Sequence, residues 1–192
     1  MFSVGDKIIH CAQGAGVITE EKDMQITETL KSYLVIRMLG SSSTLMVPSD
    51  RAEQRLRPAC TRIALRRLLT VELAGEPGKL PQDYKERAKH IEDKLKSGET
   101  KEWVKVVRDL TFRDEQSSLS MGDRQLLDRA IDLLSGELAL AQGIDQEEAM
   151  FRLKSVAQRR DELADSPENF DWLRTLGQKV MEPFARSSVG TG

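Results

Sequence analysis

The hydrophobic period of the chain changes once, near residue 58, and this change constrains the fold more than any other feature. Before it, the short apolar runs DKIIHCA, AGVITEE, SYLVIRML and STLMVPS are separated by Gly, Ser or Asp, which is typical of strands joined by turns. After it, apolar residues recur three or four positions apart, which is typical of amphipathic helices. The sequence therefore predicts a β part followed by a helical part.

One β run indicates a strand with at least one well-buried face. In YLVIRML, residues Leu34, Ile36 and Met38 point to one side, and Tyr33, Val35, Arg37 and Leu39 point to the other. Four or five strands within about 50 residues are too few for a deep sandwich, so we expect them to close into a small SH3-like barrel. With the helices that follow, this gives an α+β fold.

Six helices are predicted after the β part. We expect helices near 60–74, 81–96 and 100–116, where Trp103 falls on the core face. Ser120 with Asp123, and Asp145 with Glu148, are typical N-terminal caps of a fourth and a fifth helix, and Gly143 ends the fourth. Ser166-Pro167 is predicted to open the sixth.

The Gly-Ala-Gly of residues 14–16 resembles part of a phosphate-binding loop, but its context argues against one. A dinucleotide fingerprint requires a helix after the glycines and a third glycine, and the sequence continues instead as the strand-like VITEE. A P-loop requires Gly-Lys-Ser/Thr, which the sequence lacks. We therefore interpret Gly14 and Gly16 as positions where the chain turns or packs too tightly for a side chain.

Charge and composition limit the function classes. The formal net charge is −2, which argues against a protein that coats DNA by charge alone. Residues 60–110 are mildly basic and 111–192 are acidic, so one short charge-driven contact is expected in the middle. No apolar run approaches the ~20 residues of a membrane span, and we expect a cytoplasmic protein with no cofactor or metal and with reduced Cys11 and Cys60.

Several fragments, in order, resemble the CarD-type regulators that bind RNA polymerase. These fragments are VGDKII…QGAGVI, YLVIRM and LMVP in the β part, and LKSG, VVRDL, RDEQSSLSMGDRQLLDRA and GELALA in the helical part. Transcription-repair coupling factors share only the barrel module. The resemblance covers about residues 2–143 and departs from the family pattern at His10-Cys11. It implies a Tudor-like barrel over 1–58 followed by a helical domain. Beyond the resemblance, the residues themselves predict extra helices of unknown role over 144–186, which extend the helical domain to 59–186, and a disordered tail at 187–192.

The resemblance also implies a function. Such proteins are not enzymes. They add a strand edge to the RNA polymerase β subunit, and their helical domain stabilises the promoter open complex at the upstream fork. By position, Met24 and Met46 are the expected polymerase contacts, although Met46 as barrel filling is an equally open alternative. Tyr84 stands where the family often has a wedging tryptophan, and the expected phosphate contacts are Lys85, Arg87 and Lys89.

Other interpretations stay open at this point. Tyr84 fits an ordinary half-buried helix residue almost as well as a wedge, and Glu86 would oppose a phosphate contact. An adaptor that docks a partner strand without touching DNA is the alternative function. His10 and His90 are too far apart in sequence to indicate a metal or catalytic pair. We expect a monomer; the role of residues 144–192, including Phe170 and Trp172, is not predicted.

Overall fold

The computed structural model of the chain describes residues 2–25 and 30–176, and the expected tail at 187–192 lies outside them. Its first part is an antiparallel sheet in the order β4-β3-β2-β1-β5. The strands are β1 (Lys7–His10), β2 (Gly14–Gln25), β3 (Leu30–Met38), β4 (Thr44–Pro48) and β5 (Leu56–Pro58). A 3₁₀ turn (Ser49–Arg51) and the short helix α1 (Ala52–Arg55) join β4 to β5.

The helical part follows β5, which confirms the predicted α+β fold. Its helices are α2 (Arg62–Arg67, continued by a π-helix over Leu68–Leu73), α3 (Tyr84–Lys96), α4 (Thr100–Gln116), α5 (Met121–Gln142), α6 (Gln146–Gln158), α7 (Arg160–Asp165) and α8 (Asp171–Leu176). Ser120 and Asp145 cap α5 and α6 as predicted, because their side chains accept the backbone N–H of the residue three positions on.

The sheet does not close, so the prediction of a closed barrel is wrong. Each outer strand, β4 and β5, pairs with one neighbour within the described residues. One face curls around a small core that includes Ile8, Ile36 and Val47. The other face supplies Ile9 and Ala15 to the core of the helical part. The helices bury this second face at β1 and the start of β2, so closure of the strands is not needed to cover it there, whereas its part at β3 and β4 carries exposed side chains.

The glycines of the β1–β2 turn have structural roles. Gly14 begins β2 with a φ of +85°, a backbone conformation that favours glycine. A Cβ on Gly16 would lie 2.7 Å from Cγ2 of Ile36 and 3.0 Å from the carbonyl oxygen of Arg37, on the neighbouring strand. Residues 14–25 form a strand rather than a helix, so the structure has no phosphate-binding geometry at this turn.

Two predicted helices differ from the structure. Residues 62–67 are α-helical, but 68–73 widen into a π-helix, which keeps Leu65, Leu69 and Leu73, spaced by four, on one buried face. Pro167 opens a single 3₁₀ turn (Pro167–Asn169) rather than the sixth helix, and an unpredicted helix, α7, precedes it. The aromatic residues of this region cover the bundle, since Phe170 belongs to its core and Trp172 packs, partly buried, against that core.

Candidate functional site

Met46 and Met24 lie on the outward face of the sheet. Met46 is opposite Val35 in β3, and Met24 is opposite Lys31, four residues along the same strand. Residues an even number apart in a strand share a face, so both methionines lie on the side opposite the buried Leu34. Their rungs are about 14 Å apart along β3. Met46 is 40% exposed and Met24 is half-buried, so Met46 is not barrel filling.

The outer edge of β4 is open, and its register shows which groups it presents. The backbone N–H of Met38 donates to the carbonyl oxygen of Ser43 at 3.1 Å, one rung beyond the Arg37–Thr44 pair. In an antiparallel ladder the bonded rungs alternate with non-bonded ones. The N–H and C=O groups of Thr44 and Met46 therefore point away from β3. No other strand of the described residues pairs with this edge.

Tyr84 is the first residue of α3 and is held in place from two sides. Asp83 caps the helix by accepting the N–H of Glu86 at 3.0 Å. The Tyr84 hydroxyl lies over Gly122 in α5, where a Cβ would come within 2.2 Å of it. The guanidinium carbon of Arg87 lies 5.8 Å from the ring centroid. The side chain is 48% exposed, so one part of the ring is fixed and another part is accessible.

Arg87 is buried, and its hydrogen bonds are made within the protein. Its guanidinium donates to both carboxylate oxygens of Asp123 at 3.1 and 2.9 Å and to the carbonyl oxygens of Pro81 and Gln82. Burial would raise the pKa of Asp123, but the hydrogen bonds and charge of Arg87 outweigh it, so that pKa lies below its usual value. This position removes Arg87 from the set of residues available to a phosphate.

Lys85 and Lys89 lie on the solvent side of the same helix. Both residues are exposed, as are Glu86 and His90 beside them. The exposed surface of α3 therefore carries cations close to Tyr84, and Glu86 supplies one opposing charge. Of the residues predicted to contact DNA, Tyr84, Lys85 and Lys89 are exposed, Lys85 and Lys89 share one side of α3, and Arg87 is turned inward.

A buried polar network joins the sheet to the helices. Arg57 of β5 donates to both oxygens of Glu137 in α5, with Nη1–Oε1 and Nη2–Oε2 distances of 2.7 and 2.9 Å. Glu137 also accepts from the Cys60 backbone N–H at 2.7 Å and the Thr100 hydroxyl at 2.8 Å. Arg57 Nε donates to the carbonyl oxygen of Gly98 at 2.6 Å. Every oxygen of this buried carboxylate therefore has partners.

The same network sets the ionisation of its members. Burial would raise the pKa of Glu137, but the hydrogen bonds and charge of Arg57, together with the Cys60 and Thr100 bonds, outweigh it and lower that pKa below its usual value. Burial and the charge of Glu137 raise the pKa of the Cys60 thiol. Cys60 is therefore a poor nucleophile, and both Cys11 and Cys60 are free thiols.

Sequence reasoning missed Arg57, Glu137, Met121 and Gly122. A glutamate inside the apolar run GELALA is a signal that could have singled out Glu137, since a buried carboxylate requires a partner. Nothing local indicates that the partner is Arg57, 80 positions earlier. Met121 is 81% exposed directly after the capping Ser120, and sequence alone does not show which side of the helix start it occupies.

In the part of the chain that the structure describes, no group of three or more His, Cys, Asp or Glu side chains could hold a metal ion. His10 is buried, and its Nδ1 accepts the N–H groups of Ala12 and Gln13 at 3.2 Å each, which stabilises the β1–β2 turn. Burial, and then the charge of Arg55, lower the pKa of His10. Residues 2–25 and 30–176 contain no helix long and apolar enough to cross a membrane.

These features define an α+β protein with an open strand edge on its sheet and an exposed aromatic residue on its helices. Comparison with known proteins identifies the family. A family model described as the CarD-like/TRCF RID domain matches residues 2–60, and the CarD C-terminal domain model matches residues 69–154. The chain belongs to the CarD family of transcription regulators, and these families are of the transcription-factor type rather than enzymes.

A protein of Bacillus subtilis (strain 168) supports the same assignment. Its name is given as "Putative transcription factor YdeB", and it is 33% identical over 149 residues. The matched region is 77% of this chain and 97% of that relative.

Proposed function

We propose that this chain binds the RNA polymerase β subunit through the β4 edge and stabilises the promoter open complex through Tyr84. The observation that carries the proposal is that the same protein has both an open strand edge and a fixed, half-exposed aromatic ring. The match of residues 2–60 to a CarD-like/TRCF RID domain supports polymerase as the partner of the sheet. The mildly basic middle of the chain supports a short contact with DNA.

The proposed polymerase contact is strand addition at β4. The outward N–H and C=O groups of Thr44 and Met46 can extend a partner's sheet, and the side chains beside the edge give specificity. Met46 is exposed on the outward face, and Met24 lies further along the same face. Methionine offers a flexible apolar contact without an ion pair, so we expect this contact to depend weakly on salt.

The proposed DNA contact is stacking at the upstream fork of the melted region. An aromatic face replaces part of the stacking that a base loses when its pair opens, worth about 1–3 kcal/mol per base. Lys85 and Lys89 are exposed on α3 and would meet phosphates, which fixes the register of the protein on the DNA. Because the net charge is −2, we expect little affinity for free duplex.

The Arg57–Glu137 network supports a bridging role. It connects β5 to α5 by buried, charge-assisted hydrogen bonds, so the strand edge and the ring belong to one packed body. A stacking residue stabilises a melted fork only if its anchor is fixed relative to the polymerase. We also propose that the protein is a monomer and that it lies in the cytoplasm together with polymerase. The polymerase-binding part and the DNA-binding part meet near residue 58.

Open-complex lifetime tests the proposal. Adding the wild-type chain to polymerase on a promoter should lengthen the open-complex lifetime. With Tyr84→Ala the lifetime should be about tenfold shorter than with the wild-type chain, while the affinity for polymerase stays unchanged. Tyr84→Trp should retain it. His90→Ala, an exposed substitution on the same helix, is the matched control.

Each other result argues against part of the proposal. If Tyr84→Ala keeps both the lifetime gain and polymerase affinity, Tyr84 does not stack at the fork. If the wild-type chain binds the β subunit but leaves the lifetime unchanged, the chain is an adaptor without DNA contact. If the wild-type chain does not bind the β subunit, strand addition at β4 is wrong.

A further inference from the structure

Met121 is an exposed apolar side chain with no role in the core. It is the first residue of α5, and at 81% exposed it is the most exposed of the large hydrophobic side chains in the described part of the chain. An exposed methionine at one position is ordinary. The position of Met121 beside the proposed DNA contact makes it informative.

Met121 and Tyr84 lie at the same edge of the helical part. Gly122, the next residue after Met121, is the one over which the Tyr84 hydroxyl lies. The first turns of the two helices are also tied by the buried Arg87–Asp123 ion pair, with an Nη2–Oδ2 distance of 2.9 Å. The starts of α3 and α5 therefore form one rigid edge that carries both exposed side chains.

Charges of both signs lie around this edge, with the exposed Asp83 directly before Tyr84, so the proposed DNA contact of Tyr84 identifies the partner rather than charge alone. Lys85 follows Tyr84 and is exposed. Arg124 lies one turn after Met121, with 54% of its side chain exposed, and it pairs with Asp114 at 3.1 Å. Glu86 opposes this charge on α3. Apolar side chains flanked by cations are the pattern by which minor-groove proteins insert between base steps.

We propose that Met121 is a second wedge, which inserts beside Tyr84 at the junction of paired and unpaired DNA. This inference rests on the proposed function of Tyr84 and adds a residue to that contact. Tyr84 stacks on an exposed base, while the flexible thioether chain of Met121 fills the gap at the adjacent step. The occupant that we propose is duplex DNA at an opened step, because Met121 shares its edge with the proposed DNA contact of Tyr84.

The test compares variants of the full chain bound to polymerase on a promoter. Met121→Ala should shorten the open-complex lifetime about three- to tenfold, because apolar burial at the opened step is lost. Met121→Leu, which keeps an apolar side chain, should retain the lifetime. Phe151→Ala in α6 is the matched control, since Phe151 is also strongly exposed and lies on another helix. The melting temperature and polymerase affinity should not change in any variant.

The outcomes separate this inference from the function on which it rests. If Tyr84→Ala shortens the lifetime and Met121→Ala does not, the wedge role of Met121 is wrong and the function of Tyr84 stands. If the wild-type chain leaves the lifetime unchanged, both are wrong. If Met121→Ala dissociates a dimer in sedimentation velocity while the lifetime stays unchanged, Met121 contacts a second copy and the inference is overturned.

Discussion

At the scale of single residues, Gly122 is the position on which the orientation of Tyr84 depends. A methyl group there would come within 2.2 Å of the Tyr84 hydroxyl, so the ring would have to move. The helix itself would accept the change, because alanine is favoured over glycine in a helix by about 0.5–1 kcal/mol. The effects of Gly122→Ala on ring position and on stability should therefore separate.

We expect Gly122→Ala to keep or slightly raise the melting temperature and to shorten the open-complex lifetime. Thermal unfolding and promoter-complex decay measure the two effects. Gln125→Ala, an exposed substitution in the same helix, should leave the lifetime unchanged. A wild-type lifetime for Gly122→Ala would show that the position of the ring does not matter.

The residue scale also shows the limit of sequence reading. Tyr84, Lys85 and Lys89 are exposed, and their contact with DNA stays a prediction, but Arg87, in the same short run, is turned inward to Asp123. Helical spacing predicts which residues share a face, whereas the identity of the buried face depends on the neighbouring helix. Asp123 was identified as a capping residue, and its side chain turns out to hold Arg87 as well.

At the scale of elements, β4 is hydrogen-bonded to β3 along one edge, and no strand of the described residues pairs with its other edge. A proline at Met46 would remove an N–H that points outward and would leave the ladder to β3 intact. A proline at Leu45 would remove an N–H from a bonded rung. The two substitutions therefore separate loss of the docking edge from loss of the strand.

Met46→Pro should bind the polymerase β subunit about three- to tenfold more weakly than Met46→Ala, because one hydrogen bond of about 0.5–1.5 kcal/mol is lost. Leu45→Pro should instead lower the melting temperature. Binding is measured by surface plasmon resonance on the β subunit, and unfolding by circular dichroism. Equal affinity of Met46→Pro and Met46→Ala would exclude strand addition at this position.

Elements were predictable where local signals define them. The caps at Ser120 and Asp145 predicted the starts of α5 and α6, and the alternation of YLVIRM predicted that β3 has a buried face, which the structure shows to be that of Leu34 and Ile36. The open sheet was not predictable, because the cover on its second face comes from helices distant in sequence. The π-helix over Leu68–Leu73 also has no local signal beyond its spacing by four.

At the scale of the whole molecule, Glu137 connects the sheet to the helices. Replacing it by glutamine leaves Arg57, whose side chain is 24% exposed, without its charge partner, and because water reaches Arg57 we expect a cost of about 1–3 kcal/mol, below that of a fully buried pair. Glu137→Gln should lower the free energy of unfolding by about that amount in urea titrations. Glu92→Gln, at an exposed ion pair within α3, should change it little.

The same pair predicts a pH dependence. The folded-state pKa of Glu137 is lowered, so its stabilising effect is fully present above the unfolded-state value of 4.5. That stabilisation is lost as the pH falls through the lower folded-state pKa. Urea titrations from pH 6 to pH 3 should show a weaker loss of stability for Glu137→Gln than for the wild type. Parallel curves would mean that Glu137 is not ionised in the folded protein.

The double-sided burial of β1 has a practical consequence for anyone who isolates the N-terminal module. Ile8 faces the small core within the sheet, and Ile9 faces the helices. In a fragment that ends near residue 60, Ile9 and Ala15 would be exposed to solvent, and we expect the fragment to self-associate through them. Redesigning those two positions with polar side chains is the route to a well-behaved fragment that retains the β4 edge.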